Sequence, residues 1–234
     1  YNHEAAVPAV VHSVLKSGLP CLLVDDGSSA ACAAVLAQLA TLDNVTLLTL
    51  PSNQGKGAAV MAGFREAARQ GYTHALQVDA DGQHDLREVE TFIHTSRQHP
   101  DAVICGYPEY DDSVPKGRLY ARYLTHVWVW INTLSLEIRD SMCGFRVYPL
   151  APTLALMDSA YIGTHMDFDS DILVRLAWRN QPMRWLPTQV HYPADGLSHF
   201  RLLRDNLRIS AMHTRLFFGM LVRAPMILWR RWQA

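Results

Sequence analysis

No uncharged apolar stretch in this 234-residue chain reaches the ~18 residues that a bilayer-spanning helix needs, so no segment reads as a membrane span. No signal peptide is visible. Tyr1 is not a natural start, and a preceding segment is expected. Cysteine is scarce. Cys21, Cys32, Cys105 and Cys143 show no CxxC or metal-ligand spacing, which argues against a cysteine-held metal. They read as reduced thiols of a cytosolic protein. Internal repeats, low-complexity tracts and a clear linker are also missing. One domain over residues 1–200 with an extension over 201–234 is therefore expected. Net charge is small, −1, but unevenly spread. Residues 201–234 hold seven arginines and one acid, a balance of +6, so the first 200 residues carry −7. An acidic body disfavours nucleic acid as a partner, and a basic tail points to an anionic one.

What is present is an alternation. Short apolar runs at 20–25, 44–50, 74–79 and 101–108 alternate with helical patterns at 31–42, 55–70 and 86–99, the last after the cap candidate Asp85. This order predicts βαβ units, a largely parallel sheet and an α/β fold. Residues 109–117 form a polar loop. Residues 118–136 read as an aromatic helix, 140–149 as loop then strand, 167–180 as acidic loop into helix, and 183–193 as a strand. Sheets of this kind bind ligands at the carboxyl ends of their strands, where Asp25–Asp26 and Asp79–Asp81 both fall.

In "VDADGQH" (78–84) two acids stand one residue apart where an apolar run stops. On an extended chain they would point to opposite faces. A bend at Gly82 lets Asp79, Asp81 and Gln83 converge, and three oxygen donors suit Mg²⁺ or Mn²⁺. The plain alternative is a solvated turn. In "NQGKGAA" (53–59), Gly55 and Lys56 open a helix whose free N–H groups and positive charge favour an anion, though the spacing is not that of a P-loop. A glycine-containing helix start is the alternative. "VDDGSS" (24–29) offers Asp25 and Asp26 to a base or ribose.

Taken in order, "YNHE" (1–4), "VDDGSS", "NQGKGAA", "VDADGQH", "CGFRVYP" (143–149) and "FDSDIL" (168–173) resemble glycosyltransferase family 2, the inverting GT-A transferases, up to about residue 200. Within it the chain looks most like the polyprenyl-phosphate sugar synthases. The resemblance implies a GT-A nucleotide-binding fold with a mostly parallel twisted sheet flanked by helices. It places Tyr1, Asn2, Glu4, Asp25, Asp26, Gly55, Lys56, Asp79, Ala80 and Asp81 around the donor nucleotide, a UDP- or GDP-sugar. Asp79, Asp81 and Gln83 would surround the metal. Arg146, Ser198, His199 and Arg201 would line the phosphate or acceptor side. Two segments depart from the family pattern: His199 stands where Lys is common, and "CGYPEY" (105–110) replaces a Gly-Ser-Arg.

An inverting transfer to a hydroxyl needs a general base. Asp171 of "FDSD" is the expected one, with Asp167 and Asp169 read as helix caps. A lipid-phosphate acceptor is already ionised, and Asp171 would then orient a substrate instead. His84, His191 and His199 are ligand candidates or structural residues. Tyr123, Trp128 and Trp130 are either an acceptor wall or core.

On a helical wheel with Arg201 at zero, Arg201, Arg204, Arg208, Arg215 and Arg223 share an arc of about 100°, with Met212 and Asp205 as exceptions on that arc. Most apolar residues of the tail lie elsewhere on the wheel. Pro225 should end or kink the helix. A basic amphipathic helix with tryptophans predicts docking on an anionic membrane surface, peripheral on the cytoplasmic face, with a lipid-linked acceptor. A tail packed on the domain with a solvated basic face is the alternative. A sugar-nucleotide nucleotidyltransferase lacks its glycine- and arginine-rich loop here. A degenerate transferase that only binds nucleotide would be expected to have broken acidic motifs, and both are intact.

Overall fold

The computed structural model describes residues 1–109, 116–190 and 200–233. Helix α1 (Val7–Lys16) takes Pro8 in its first turn, where no N–H is needed, and buries Val7, Val10, Val11 and Val14. Strand β1 (Cys21–Asp25) leads to Ser29, whose side chain accepts from Cys32 N and caps α2 (Ala30–Leu39). Strand β2 (Val45–Thr49) is followed by α3 (Lys56–Arg69), entered at Gly55 with φ 103°. A Cβ on Gly55 would meet Thr164 O at 2.5 Å, so the position tolerates only glycine.

Strand β3 (His74–Gln77) runs into the acidic turn. Asp85 caps a short 3₁₀ turn before α4 (Val89–Gln98), as its position predicts. Then come β4 (Val103–Glu109), α5 (Lys116–Thr133), β5 (Arg146–Pro149), α6 (Leu150–Ser159), α7 (Phe168–Trp178) and β6 (Met183–Gln189). The last helix, α8 (Leu202–Trp232), continues past Pro225, so the proline does not end it.

The sheet order is β1-β2 in one piece and β3-β5-β4-β6 in another. β1 and β2 are parallel, as are β4 and β6. β5 runs against both β3 and β4, so β3, β4 and β6 share one direction. Residues Leu22, Leu23 and Val24 of β1 and Ala75, Leu76 and Gln77 of β3 line a common cavity.

The main core joins Phe64, Tyr148, Phe168, Ile172, Leu173 and Leu176 to Met212, Leu216, Met220 and Ile227 of α8. The tail helix is thus part of the folded body. Phe92, Ile104, Phe145 and Val147 form a second cluster under β4 and β5, and α1, β1 and α2 enclose a third. Among the described residues no helix is long and apolar enough to cross a membrane.

Candidate active site

Asp79 lies two residues beyond the end of β3. Its Oδ2 is 2.8 Å from Lys56 Nζ, at the first turn of α3. The same ammonium is 2.8 Å from Asp169 Oδ2, at the start of α7. Gln77 Nε2 donates to Asp169 Oδ1 at 3.1 Å. Three distant segments thus meet in one carboxylate–ammonium–carboxylate chain. Burial works against the charge on Lys56, but Asp169 and Asp79 outweigh it and hold its pKa above the usual lysine range. Burial would raise Asp79, but Lys56 and His84 bring its carboxyl below the usual range.

Gly144 makes room for this arrangement, since a Cβ there would stand 2.7–3.0 Å from the Asp79 carboxyl. The loop carrying Gly144 is fixed by Asp140. Its Oδ1 accepts from Met142 N and Cys143 N, at 2.8 and 2.7 Å. Its Oδ2 is 2.6 Å from Arg122 Nε and 3.3 Å from His126 Nε2. Burial opposes ionisation of Asp140, yet Arg122 and His126 keep its pKa far below the carboxylate range. Sequence reasoning missed this cluster. The signal was local: an Asp two and three residues ahead of the N–H groups of a Gly-containing turn.

Asp81 Oδ1 accepts from Gln83 N at 3.0 Å, closing the turn at Gly82, φ 72°. Asp79, Ala80, Asp81 and Gln83 all line the cavity, whose volume is about 1550 Å³. Two carboxylates and an amide are hard oxygen donors and fit a divalent ion completed by phosphate oxygens. No three His, Cys, Asp or Glu side chains among the described residues come together as a metal cage. His84 is buried, stacked on Phe145 at 5.3 Å, with Nε2 4.0 Å from Asp79 Oδ2. Burial lowers its pKa.

On the β1 side, Asp25 Oδ1 accepts from Ser28 N at 2.9 Å. Asp26 accepts from Gln54 N and Gly55 N, at 2.7 and 2.9 Å, and so braces the entrance to α3. Asn2 Oδ1 accepts from Ser29 N at 2.8 Å and Asn2 N donates to Ser28 Oγ at 3.1 Å, tying the N-terminal segment to the same loop. Tyr1 and Asp26 line the cavity, and Glu4 has a buried Oε2 with no partner.

Two expected roles do not fit the geometry. Asp171 has no exposed surface. Its carboxylate accepts from Gly163 N at 2.9 Å, Arg175 Nε at 2.6 Å and Arg215 Nη2 at 2.6 Å, so it is no free base. Residues two apart on a helix stand about 200° apart, so only one of Asp169 and Asp171 can face Lys56. Asp169 does, and Asp171 faces α8. Asp167 is the local brace, accepting from His165 N at 3.1 Å. Arg146 is also fully buried, because β5 lies inside the sheet. It donates to Tyr148 Oη and Asp169 O at 3.1 and 2.8 Å, supporting α7 from behind instead of facing phosphate.

Ser198, His199 and His191 lie outside the described residues. Arg201 lines the cavity with Arg204 and Arg208 of α8 and Arg122 of α5. Tyr123, Trp128 and Trp130 do not. Trp130 Nε1 donates to Ile138 O at 3.0 Å, and Trp128 stacks beside His213 and Phe217.

The tail departs most from expectation. Arg215 binds Asp171, Arg230 donates to Trp178 O, and Arg231 donates to Leu134 O. The exposed side chains Leu203, Leu207, Phe218, Leu221, Val222, Trp229 and Trp232 occupy the arc from about 200° to 300° on the wheel with Arg201 at zero. Buried Asp205, Met212, His213, Leu216, Met220 and Ile227 occupy about 20° to 120°. The five-arginine arc lies between them. The apolar arc therefore faces solvent beside the exposed Arg201, Arg204 and Arg223.

This fold, an α/β sheet with acidic strand ends opening on one cavity, is that of the GT-A glycosyltransferases. The chain overlays on glucosyl-3-phosphoglycerate synthase from Mycobacterium tuberculosis, solved with Mn²⁺ and UDP-glucose, with a TM-score of 0.65 at 15% identity, covering 95% of this chain and 75% of that one. Mannosyl-3-phosphoglycerate synthase from Rubrobacter xylanophilus gives a TM-score of 0.62 at 16% identity, covering 96% and 72%. Residues 1–164 match Glycosyl transferase family 2, and the chain belongs to that family. It is 26% identical over 205 residues to a dolichyl-phosphate beta-glucosyltransferase of Dictyostelium discoideum, covering 78% of this chain and 62% of the relative. It is 29% identical over 163 residues to a polyprenol monophosphomannose synthase of Mycolicibacterium smegmatis, covering 63% and 58%. The chain thus spans about three fifths of those two relatives.

Proposed function

We propose that the chain is a metal-dependent, inverting glycosyltransferase that moves a sugar from a nucleotide diphosphate-sugar to a polyprenyl-phosphate acceptor at a membrane surface. The observation that carries this reading is one cavity lined both by the carboxylates Asp26, Asp79 and Asp81 and by the arginines Arg201, Arg204 and Arg208. Asp79, Asp81 and Gln83 would hold Mg²⁺ or Mn²⁺, which neutralises the diphosphate leaving group when bound. Tyr1, Asn2, Glu4, Asp25, Asp26 and Gly55 frame the nucleotide end. Asn2 and Asp26 act by fixing the loops that contact it. Arg201, Arg204 and Arg208 offer guanidinium groups to an anionic acceptor.

The pairing of Asp169 and Asp171 with basic side chains supports a phosphate acceptor. Asp169 is held by Lys56 and Gln77, and Asp171 by two arginines. Neither is free to take a proton. A phosphate acceptor is ionised and needs no base. The two relatives, a dolichyl-phosphate beta-glucosyltransferase and a polyprenol monophosphomannose synthase, support the same choice. The outward apolar face of α8, edged by arginines, suits a helix lying in the lipid interface. Four free thiols suit the reducing, cytoplasmic side of that membrane.

The test is thermal-shift screening with UDP- and GDP-sugars, with and without Mn²⁺. The expected result is stabilisation that needs both metal and one of the two bases, and that disappears in Asp81→Ala. Full metal-dependent stabilisation and transfer by Asp81→Ala would remove this site assignment.

A further inference from the structure

Asp79, the first acid of the presumed metal set, already has a cation on it. Lys56 Nζ is 2.8 Å from Asp79 Oδ2, at hydrogen-bond distance, and 2.8 Å from Asp169 Oδ2 on its other side. The side chains of Lys56 and Asp79 are each 23% exposed, and both line the cavity. Gly144 lets the Asp79 carboxyl lie close to the backbone on its far side, where an added Cβ would come within 2.7 Å. An ammonium and a divalent ion on the same carboxylate weaken each other's binding, because their like charges would stand a few ångströms apart in a half-buried site. A donor diphosphate changes the balance. Its oxygens give the ammonium other partners and add ligands for the metal.

We infer that Lys56 is a resident counter-ion that keeps the divalent ion off Asp79 until a nucleotide diphosphate arrives, so that metal and donor bind as one event. This rests on the metal-dependent reading above. It assigns to Lys56 a positioning and ordering role in addition to any contact with phosphate.

The experiment measures Mn²⁺ binding without turnover, from the electron paramagnetic resonance signal of free Mn²⁺, with and without UDP or GDP. Wild type should bind Mn²⁺ alone weakly and gain strongly with one nucleotide. Lys56→Met should bind Mn²⁺ alone about ten- to a hundredfold tighter than wild type, as relief of like-charge repulsion, and its gain from nucleotide should shrink. Lys56→Arg, which keeps the charge, should behave like wild type. A Lys56→Met/Asp169→Asn double variant removes one charge of each sign. It keeps the site balanced if Lys56→Met alone does not fold, and it should also bind Mn²⁺ alone more tightly than wild type. Equal Mn²⁺ affinity of wild type and both lysine-free variants, with nucleotide-dependent binding intact, overturns the role of Lys56 and leaves the metal reading standing. No Mn²⁺ binding by any of them, with either nucleotide, overturns both.

Discussion

His213 gives the tail helix a pH limit that can be worked out from its surroundings. It sits on the buried side of α8, with its ring 6.1 Å from Trp128 and Nδ1 3.2 Å from Asn132 Nδ2 of α5. Nε2 is buried without a partner. Burial pushes the imidazole from 6.5 down to about 4, with the Asp171 carboxylate pulling weakly the other way. Below pH 6.5 the unfolded chain takes up a proton that the folded chain refuses. The stability tied to this site is therefore whole above pH 6.5 and is lost as pH falls toward 4. The loss comes to about 3 kcal/mol at pH 4 and about 1 kcal/mol at pH 5.5. Urea unfolding followed by tryptophan fluorescence, at pH 7.5 and 5.5, measures it. His213→Gln should lose about 1 kcal/mol less than wild type between those two values. Comparing the two proteins cancels the carboxylates they share. An identical loss in both would refute the reasoning.

Asp171→Asn should destabilise the fold by about 3–5 kcal/mol, because Arg175 and Arg215 lose their common carboxylate. Thermal melting checks this, and an inactive variant of unchanged stability would restore Asp171 as a base. Gly144→Ala should push the Asp79 carboxyl off Lys56 and reduce the stabilisation by nucleotide and Mn²⁺, read by thermal shift, with the circular dichroism spectrum unchanged. Replacing Phe218, Val222 and Trp229 together by serine should release the protein from anionic liposomes in a flotation assay without unfolding it, since all three are exposed. Retained flotation would place the lipid contact elsewhere. Cys105 and Cys143, buried and pushed up to about 12, and Cys21, pushed up to about 11, should resist thiol reagents at pH 8 until urea is added.

Features set by neighbours in the chain could be read from the residues alone. The bend at Gly82, the cap at Asp85 and the glycine entrance to α3 all depend on turn chemistry within a few positions. Features set by which surface packs inward could not. The alternation in "DFDSD" shows three acids, but only the docking of α8 decides that Asp171 meets Arg215 while Asp169 meets Lys56. The family resemblance puts Arg146 of "CGFR" on the phosphate side, yet Arg146 begins a strand enclosed on both sides. The arginine arc of α8 was correct as a spacing, and Arg201, Arg204 and Arg223 are exposed, but the exposed apolar arc beside it was not foreseen. The two exceptions on the arginine arc, Asp205 and Met212, are both buried and marked where that helix turns inward.

The split between β1 and β3 has a practical side. β1 and β3 each stand at the edge of their own sheet, and both line the cavity that holds Asp79, Asp81 and Gln83. Any molecule wedged between the two strands would therefore compete with whatever those side chains bind.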